Sequence, residues 1–166
     1  MGTERTTTNL EVAFDGEAKA SIRLQAYAEV AEKEGHLQLA KLFRAISAAE
    51  RVHARNHLRL MEKVNNTQEN LRLSFERERS VAEVYYPEFI KVAEQEGLKA
   101  ARATFSFARD AEAVHARLYQ SALSNMLADT EVDYYLCPIS GFVAEGEPPG
   151  RCPICGTPSE KFILID

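Results

Sequence analysis

Residues 49–55 read Ala-Glu-Arg-Val-His-Ala-Arg, and residues 111–117 read Ala-Glu-Ala-Val-His-Ala-Arg. Each stretch carries a Glu and, three residues on, a His: Glu50 with His53, and Glu112 with His115. On a helix that spacing puts both side chains on one face, one turn apart. The repetition extends upstream, where Val-Ala-Glu-Lys-Glu-Gly (30–35) recurs as Val-Ala-Glu-Gln-Glu-Gly (92–97). Gly35 precedes Glu50 by the same distance as Gly97 precedes Glu112. Glu17 and Glu78 stand at matching heights before the two pairs. The chain therefore contains an internal repeat of two similar helical hairpins.

Apolar residues at three- and four-residue steps trace four helices. The first runs over about 10–34, with Ala13, Glu17, Ala20, Leu24, Tyr27 and Ala31 in line. The second, about 36–64, lines up Leu39, Phe43, Ile46, Glu50, His53, His57, Leu60 and Val64. The third, about 68–96, lines up Leu71, Phe75, Glu78, Ala82, Tyr85, Phe89 and Val92; the fourth, about 98–127, lines up Ala101, Phe105, Ala108, Glu112, His115, Tyr119, Ala122 and Met126. Each stripe faces a core, yet each is broken near its middle by Glu or by Glu and His. Gly35 and Gly97 mark the hairpin turns. Asn66 and Glu69 form a capping-box pattern for the third helix, and Pro87 should kink it.

Glu17, Glu50, Glu78 and Glu112 converging in a core would be severely destabilising if uncompensated, because a buried charge must be paired or neutralised. Two divalent ions would balance four carboxylates. Carboxylate and imidazole together suit iron or manganese. One Glu from each of two helices and Glu-x-x-His from each of the other two is the ligand pattern of di-iron carboxylate bundles. The expected fold is thus an all-α, ferritin-like four-helix bundle.

The 166-residue chain is 45% hydrophobic and 27% charged, which describes ordinary globular protein and excludes collagen-like or disordered chains. A net charge of −5 without a basic block argues against nucleic-acid binding. No apolar run is long enough for a membrane helix, and the polar start lacks a signal-peptide core. A cytoplasmic location with no membrane partner is expected. Cys137, Cys152 and Cys155, odd in number and clustered, argue against a disulfide framework. Cys152-Pro-Ile-Cys155-Gly is a thiolate knuckle of the kind that comes in pairs at tetrahedral metal sites. Its counterpart reads Cys137-Pro-Ile-Ser140-Gly. Ser140 could ligate as an alkoxide, water could take its place, zinc could replace iron, or the site could be lost; an isolated Cys-x-x-Cys could also be a redox dithiol, which the paired Cys-Pro-x-x-Gly frame disfavours.

Phe14-x-Gly16-Glu17, Glu50-x-x-His53, Glu78 ahead of Tyr86-Pro87, and Glu112-x-x-His115 resemble the rubrerythrin family. Residues 134–162 (YYLCPISGFVAEGEPPGRCPICGTPSEKF) resemble the rubredoxin module that ends those proteins. The resemblance implies a ferritin-like di-iron domain over 1–127, a linker over 128–134 and a small C-terminal rubredoxin-like metal-binding module over 135–166. It implies two iron ions in the bundle, with manganese or zinc as substitutes, and one iron or zinc at Cys137, Ser140, Cys152 and Cys155. Glu50 and Glu112 would bridge the bundle metals; Glu17, Glu78, His53 and His115 would be terminal. The implied activity is peroxidase chemistry, reduction of hydrogen peroxide to water, with electrons relayed by the rubredoxin-like module from a donor protein. Dioxygen is the other candidate oxidant. Two other readings stand beside it: iron handling or ferroxidase activity, and a zinc-stabilised structural or interaction protein.

The chain departs from the family pattern at three places. Val81 stands where the family carries a further Glu, one that alternates with a His as ligand when an iron changes oxidation state. Leu24 stands where the family places a tyrosine, and so removes the hydrogen bond that tyrosine would supply. Ser140 replaces the fourth cysteine. Tyr86 matches a family tyrosine placed to hydrogen-bond a metal-bound carboxylate. His57 is read as an ordinary helix-end side chain.

Connectivity adds one expectation. In a ferritin-like bundle the second and third helices are parallel and joined by a long crossover. Here the second helix runs roughly 21 Å beyond Glu50, and the third starts roughly 15 Å before Glu78. The three to five residues between them reach only about 18 Å. Either those helices are antiparallel, or two chains exchange hairpins as a homodimer. The second is expected.

Overall fold

The computed structural model describes residues 4–126 and 131–165. Residues 128–130 of the expected linker, and residue 127 before them, lie outside the described residues. The protein is an all-α, four-helix-type assembly followed by a small cysteine-bearing module. It divides into two compact units, Met1–Asn65 and Asn66–Asp166.

The first unit is a helical hairpin of α1 (Glu4–Lys33) and α2 (Leu37–Leu60). The Gly35 turn has a specific cause. Its φ of 83° is the left-handed conformation that glycine adopts without strain. This lets Gly35 N–H donate to Glu32 O (3.0 Å) and His36 N–H donate to Ala31 O (2.8 Å), satisfying the last carbonyls of α1. The helices meet through small residues. Ala28, Ala31 and Ala40 are buried, with Phe43 packed against them. Ser21 and Ser47 are also buried; the Ser47 hydroxyl donates to Ser21 O at 2.9 Å, and the two hydroxyls lie 3.2 Å apart. The expected stripe is thus only partly covered by its own hairpin. Leu39 stays 51% exposed and Ile46 40%.

The second unit begins with a helix that differs from expectation. Instead of one kinked helix there are α3 (Thr67–Ser80), a π-helical turn (Val81–Tyr85) and α4 (Tyr86–Gln95). Pro87 has no N–H to give, and its ring crowds the carbonyl one turn back. The chain relieves this by widening the preceding turn, where Tyr86 N–H donates to Val81 O, five residues back. The capping box is half formed. The Asn66 side chain accepts from Glu69 N–H at 2.9 Å, but the Glu69 carboxylate turns away to Arg72 at 2.6 and 2.9 Å. A Gly97 turn like that at Gly35, with φ 70°, leads into α5 (Lys99–Asn125). Gly97 N–H donates to Glu94 O and Leu98 N–H to Ala93 O, so the two halves of the repeat close their hairpins with the same hydrogen bonds.

The C-terminal module is a three-stranded antiparallel sheet of order β2-β1-β3: β1 (Tyr134–Leu136), β2 (Val143–Glu145) and β3 (Ile163–Ile165). Two tight turns project from it, one at residues 137–142 and one at 152–157, and Phe142 packs edge-on against Phe162. Among the described residues no helix is long and apolar enough to cross a membrane.

The serine contact between α1 and α2 is buried on both sides. Ser47→Leu forces a larger side chain into a position with no exposed surface. A loss of about 1–3 kcal/mol is expected, seen as a lower denaturation midpoint by circular dichroism. An unchanged midpoint would mean that the close approach carries no packing constraint.

Candidate metal centres

Each unit gathers one acidic triad. In the first, Glu17 comes from α1 and Glu50 and His53 from α2; one ligand atom from each lies within 4.8 Å of the others. His53 Nδ1 is 3.3 Å from Glu50 Oε2. In the second, Glu78 comes from α3 and Glu112 and His115 from α5, again within 4.8 Å. His115 Nδ1 is 2.8 Å from Glu112 Oε2. The internal repeat in the sequence has become a repeat of geometry.

The electrostatics show crowding. A hydrogen bond shared with Glu50, burial and the Glu50 charge all raise the Glu17 pKa, while the same shared bond lowers that of Glu50. Burial, then the hydrogen bond and charge of Glu112, push Glu78 up to about 7. Tyr86 is raised by burial and by the charges of Glu112 and Glu78, which places its phenol within electrostatic reach of both carboxylates. Its ring packs against Phe89 and Phe105.

His115 decides what the second triad can bind. Its Nε2 lies 2.9 Å from the carbonyl oxygen of Gly141, in the first turn of the C-terminal module. A carbonyl only accepts, so Nε2 carries the proton. In the neutral ring Nδ1 then presents a lone pair. That lone pair faces Glu112 Oε2, another acceptor, at 2.8 Å. Only a proton or a cation reconciles two facing acceptors. An imidazole fixed by one nitrogen with the other aimed among carboxylates is the usual arrangement of a metal-binding histidine. The donor set fits a divalent ion such as iron, manganese or zinc.

In the module, one sulfur atom from each of Cys137, Cys152 and Cys155 lies within 4.8 Å of the others. Cys137 and Cys155 sulfurs are 3.6 Å apart, and Ser140 Oγ is 3.3 Å from Cys152 Sγ. Burial alone would push the Cys137 thiol up. Hydrogen bonds from the Ser140 hydroxyl, from the Ser140 and Ile139 backbone and from Cys155 hold it at about 6 instead. This is a pocket prepared for thiolate, as a bound cation requires.

All ten residues singled out in the sequence thus fall into three clusters. Val81 lies at the start of the π turn. Two features were not readable in advance. The Gly141 carbonyl behind His115 has no sequence signal, since it needs the module docked on α5. His57 has a buried Nδ1 without a partner, and its charge acts on Glu17; its place one turn past His53 was the available hint.

Two carboxylate–histidine triads on repeated helices, followed in the chain by a cysteine-rich module, define a protein of the di-metal carboxylate class with an added thiolate site. A rubrerythrin family model matches residues 8–123, and a model of the rubrerythrin rubredoxin-like domain matches 135–163. The chain is 33% identical to nigerythrin of Nitratidesulfovibrio vulgaris, over 95% of this chain and 85% of that one. It is 29% identical to rubrerythrin-2 of Clostridium acetobutylicum, over 92% of each. Solved structures of nigerythrin in its mixed-valence and its fully reduced, all-ferrous states match with TM-scores of 0.60 and 0.61, covering 99% of this chain and 88% and 89% of theirs. The chain belongs to the rubrerythrin family, with a ferritin-like N-terminal part and a rubredoxin-like C-terminal domain.

Glu78 gives the second triad a measurable pH dependence. Its folded pKa of about 7 lies above its ordinary 4.5. The stability it contributes is present at low pH and is lost as pH rises through about 7. Metal-free protein should therefore lose stability from about pH 5 to about 7, and Glu78→Gln should flatten that slope. Divalent binding displaces the same proton. Calorimetric titration with manganese near neutral pH should show proton release that falls in Glu78→Gln; equal release by both proteins would remove Glu78 from the site.

Proposed function

We propose that this chain reduces hydrogen peroxide to water at a pair of iron ions in the helical part, with electrons returned through the C-terminal module by a donor protein. The observation that supports this reading most is the pair of triads: six ligands of the right types in two matched sets. Family membership is consistent with a non-haem di-iron oxidoreductase.

When bound, the iron pair supplies the two electrons and the Lewis acidity that O–O cleavage needs. The protein's residues do the rest. Glu50 and Glu112, each next to its own histidine, would be the ligands shared by the two ions in this reading. Glu17, Glu78, His53 and His115 hold the outer positions. His115 is locked by Gly141 O, so its Nδ1 cannot rotate away. Tyr86, within electrostatic reach of Glu112 and Glu78, would offer its phenol proton near the ion those carboxylates hold. With Val81 in place of a carboxylate, neither histidine has a competitor. Both metals should keep their ligands in the oxidised and reduced states. Crystals of the two states should agree in metal position to about an ångström; a larger movement toward or away from His53 contradicts this.

Two chains supply one centre in this reading. The observed connection runs from Leu60 to Thr67, and six residues span only about 20 Å. The distance to cover, past Glu50 and back to Glu78, is about 30 Å. Leu39, Ile46, Phe89 and Val92 also remain substantially exposed within a single chain, as expected if another copy's hairpin covers them. Each metal pair would then take Glu17, Glu50 and His53 from one chain and Glu78, Glu112 and His115 from its partner.

Peroxide consumption with a reduced donor tests the activity. Glu50→Ala and Glu112→Ala should each lower the rate by at least about a hundredfold, as expected for loss of a metal ligand. Iron uptake without peroxide turnover would instead identify an iron-handling protein. A mixture tests the exchange. Co-refolded Glu50→Ala and Glu112→Ala chains rebuild one intact centre per mixed dimer, so activity reappears. Two inactive parents with an inactive mixture would rule out exchange.

A further inference from the structure

The two turns that carry the cysteines are copies of one another. Cys137-Pro-Ile-Ser140-Gly141-Phe142 matches Cys152-Pro-Ile-Cys155-Gly156-Thr157. In the first, Cys137 N–H donates to Phe142 O at 2.8 Å and Gly141 N–H donates to Cys137 O at 3.1 Å. In the second, Cys152 N–H donates to Thr157 O at 2.7 Å and Gly156 N–H donates to Cys152 O at 2.9 Å. Both glycines have a φ of 76°. One backbone frame thus presents position 140 and position 155 in the same way. The only difference in the cluster is the atom presented, Oγ in place of Sγ.

Ser140 makes use of that frame. It is 7% exposed, so its hydroxyl is not a surface group. Its Oγ sits 3.3 Å from Cys152 Sγ and accepts the Phe142 N–H at 3.3 Å. A hydroxyl that only capped the turn could face solvent. This one meets the Cys152 sulfur, at the turn position that matches Cys155 in the second knuckle and so at the place a fourth ligand of a tetrahedral set would come from.

We propose that Ser140 Oγ is the fourth ligand of a three-sulfur, one-oxygen iron site, and that it sets the reduction potential of that site below that of a four-thiolate site on the same frame. The proposal rests on the reading that the module carries iron. Ligation releases the hydroxyl proton to solvent, as thiol protons are released. The ferric site then has three thiolates and one alkoxide around Fe³⁺, a net charge of −1, equal to that of a four-thiolate site. Charge therefore does not distinguish the two. Donor hardness does: alkoxide oxygen favours ferric over ferrous iron more strongly than thiolate sulfur does. A lower potential makes the module a stronger reductant toward the bundle.

The experiment uses the full-length, iron-loaded protein and compares it with Ser140→Cys and Ser140→Ala. The native protein should show a thiolate-to-iron absorption band at shorter wavelength than Ser140→Cys, and a lower midpoint potential by redox titration followed at that band. Ser140→Ala should lose module iron to a chelator about tenfold faster than the native protein. If Ser140→Cys fails to fold, the native and Ser140→Ala pair still decides. Equal bands, potentials and chelation rates in those two would show solvent, not Ser140, in the fourth place. A colourless native module containing zinc would also overturn the assignment. Peroxide consumption driven by a small reductant that bypasses the module is measured separately. Its loss defeats the peroxide reading and leaves the ligand assignment intact.

Discussion

The constraint on which this structure depends is electrostatic. In each unit two glutamates approach one another, Glu17 with Glu50 and Glu78 with Glu112, on helices whose buried residues are apolar or small. The hydrogen bond and charge of Glu50 raise Glu17, and burial and Glu112 raise Glu78 to about 7. Without a cation, crowding holds a proton on Glu78 up to about pH 7 and raises Glu17 above the ordinary carboxylate range. Any ion that replaces those protons is bound more tightly because the carboxylates have nowhere else to put their charge. The cost of assembling the site is therefore also the source of its affinity.

That cost shapes the surrounding helices. Small residues and a serine pair let α1 and α2 approach closely enough for Glu17 to reach Glu50. The same narrow seam leaves the larger apolar side chains facing outward from the hairpin. In the second unit the demand is different, because Pro87 follows the ligand helix. The π turn takes up the extra residue after Glu78 rather than before it, so the ligand stays on regular α-helix while Tyr86 is rotated toward Phe105. The distortion lies where it does not move a ligand.

The sequence made the acidic groupings legible because they are written twice. Glu-x-x-His in two copies, at equal distances from Gly35 and Gly97, left few alternatives, and the structure closes both hairpins with equivalent hydrogen bonds. The paired Cys-Pro-Ile turns were legible for the same reason. What stayed hidden depends on three-dimensional competition. Pro87 announces a disturbed helix, but a kink and a π turn relieve the same clash. Glu69 sits where a capping box needs it, yet Arg72 offers a bidentate partner of opposite charge, which outbids a backbone N–H. Helical periodicity marks Leu39 and Ile46 as inward-facing without saying whose interior they enter.

His115 joins the two kinds of site. One face of its ring belongs to the carboxylates and the other to the first cysteine turn, through Gly141 O. The carbonyl it meets belongs to the residue next to Ser140. Any change in how position 140 is held acts on the Gly141 peptide, and through it on the proton at Nε2. His53, by contrast, belongs to the unit without a cysteine module, and its ring is more exposed. Two histidines that look equivalent in the repeat therefore differ in the constraint behind them. The repeated sequence builds matching ligand sets, and the module makes one of them the more rigid.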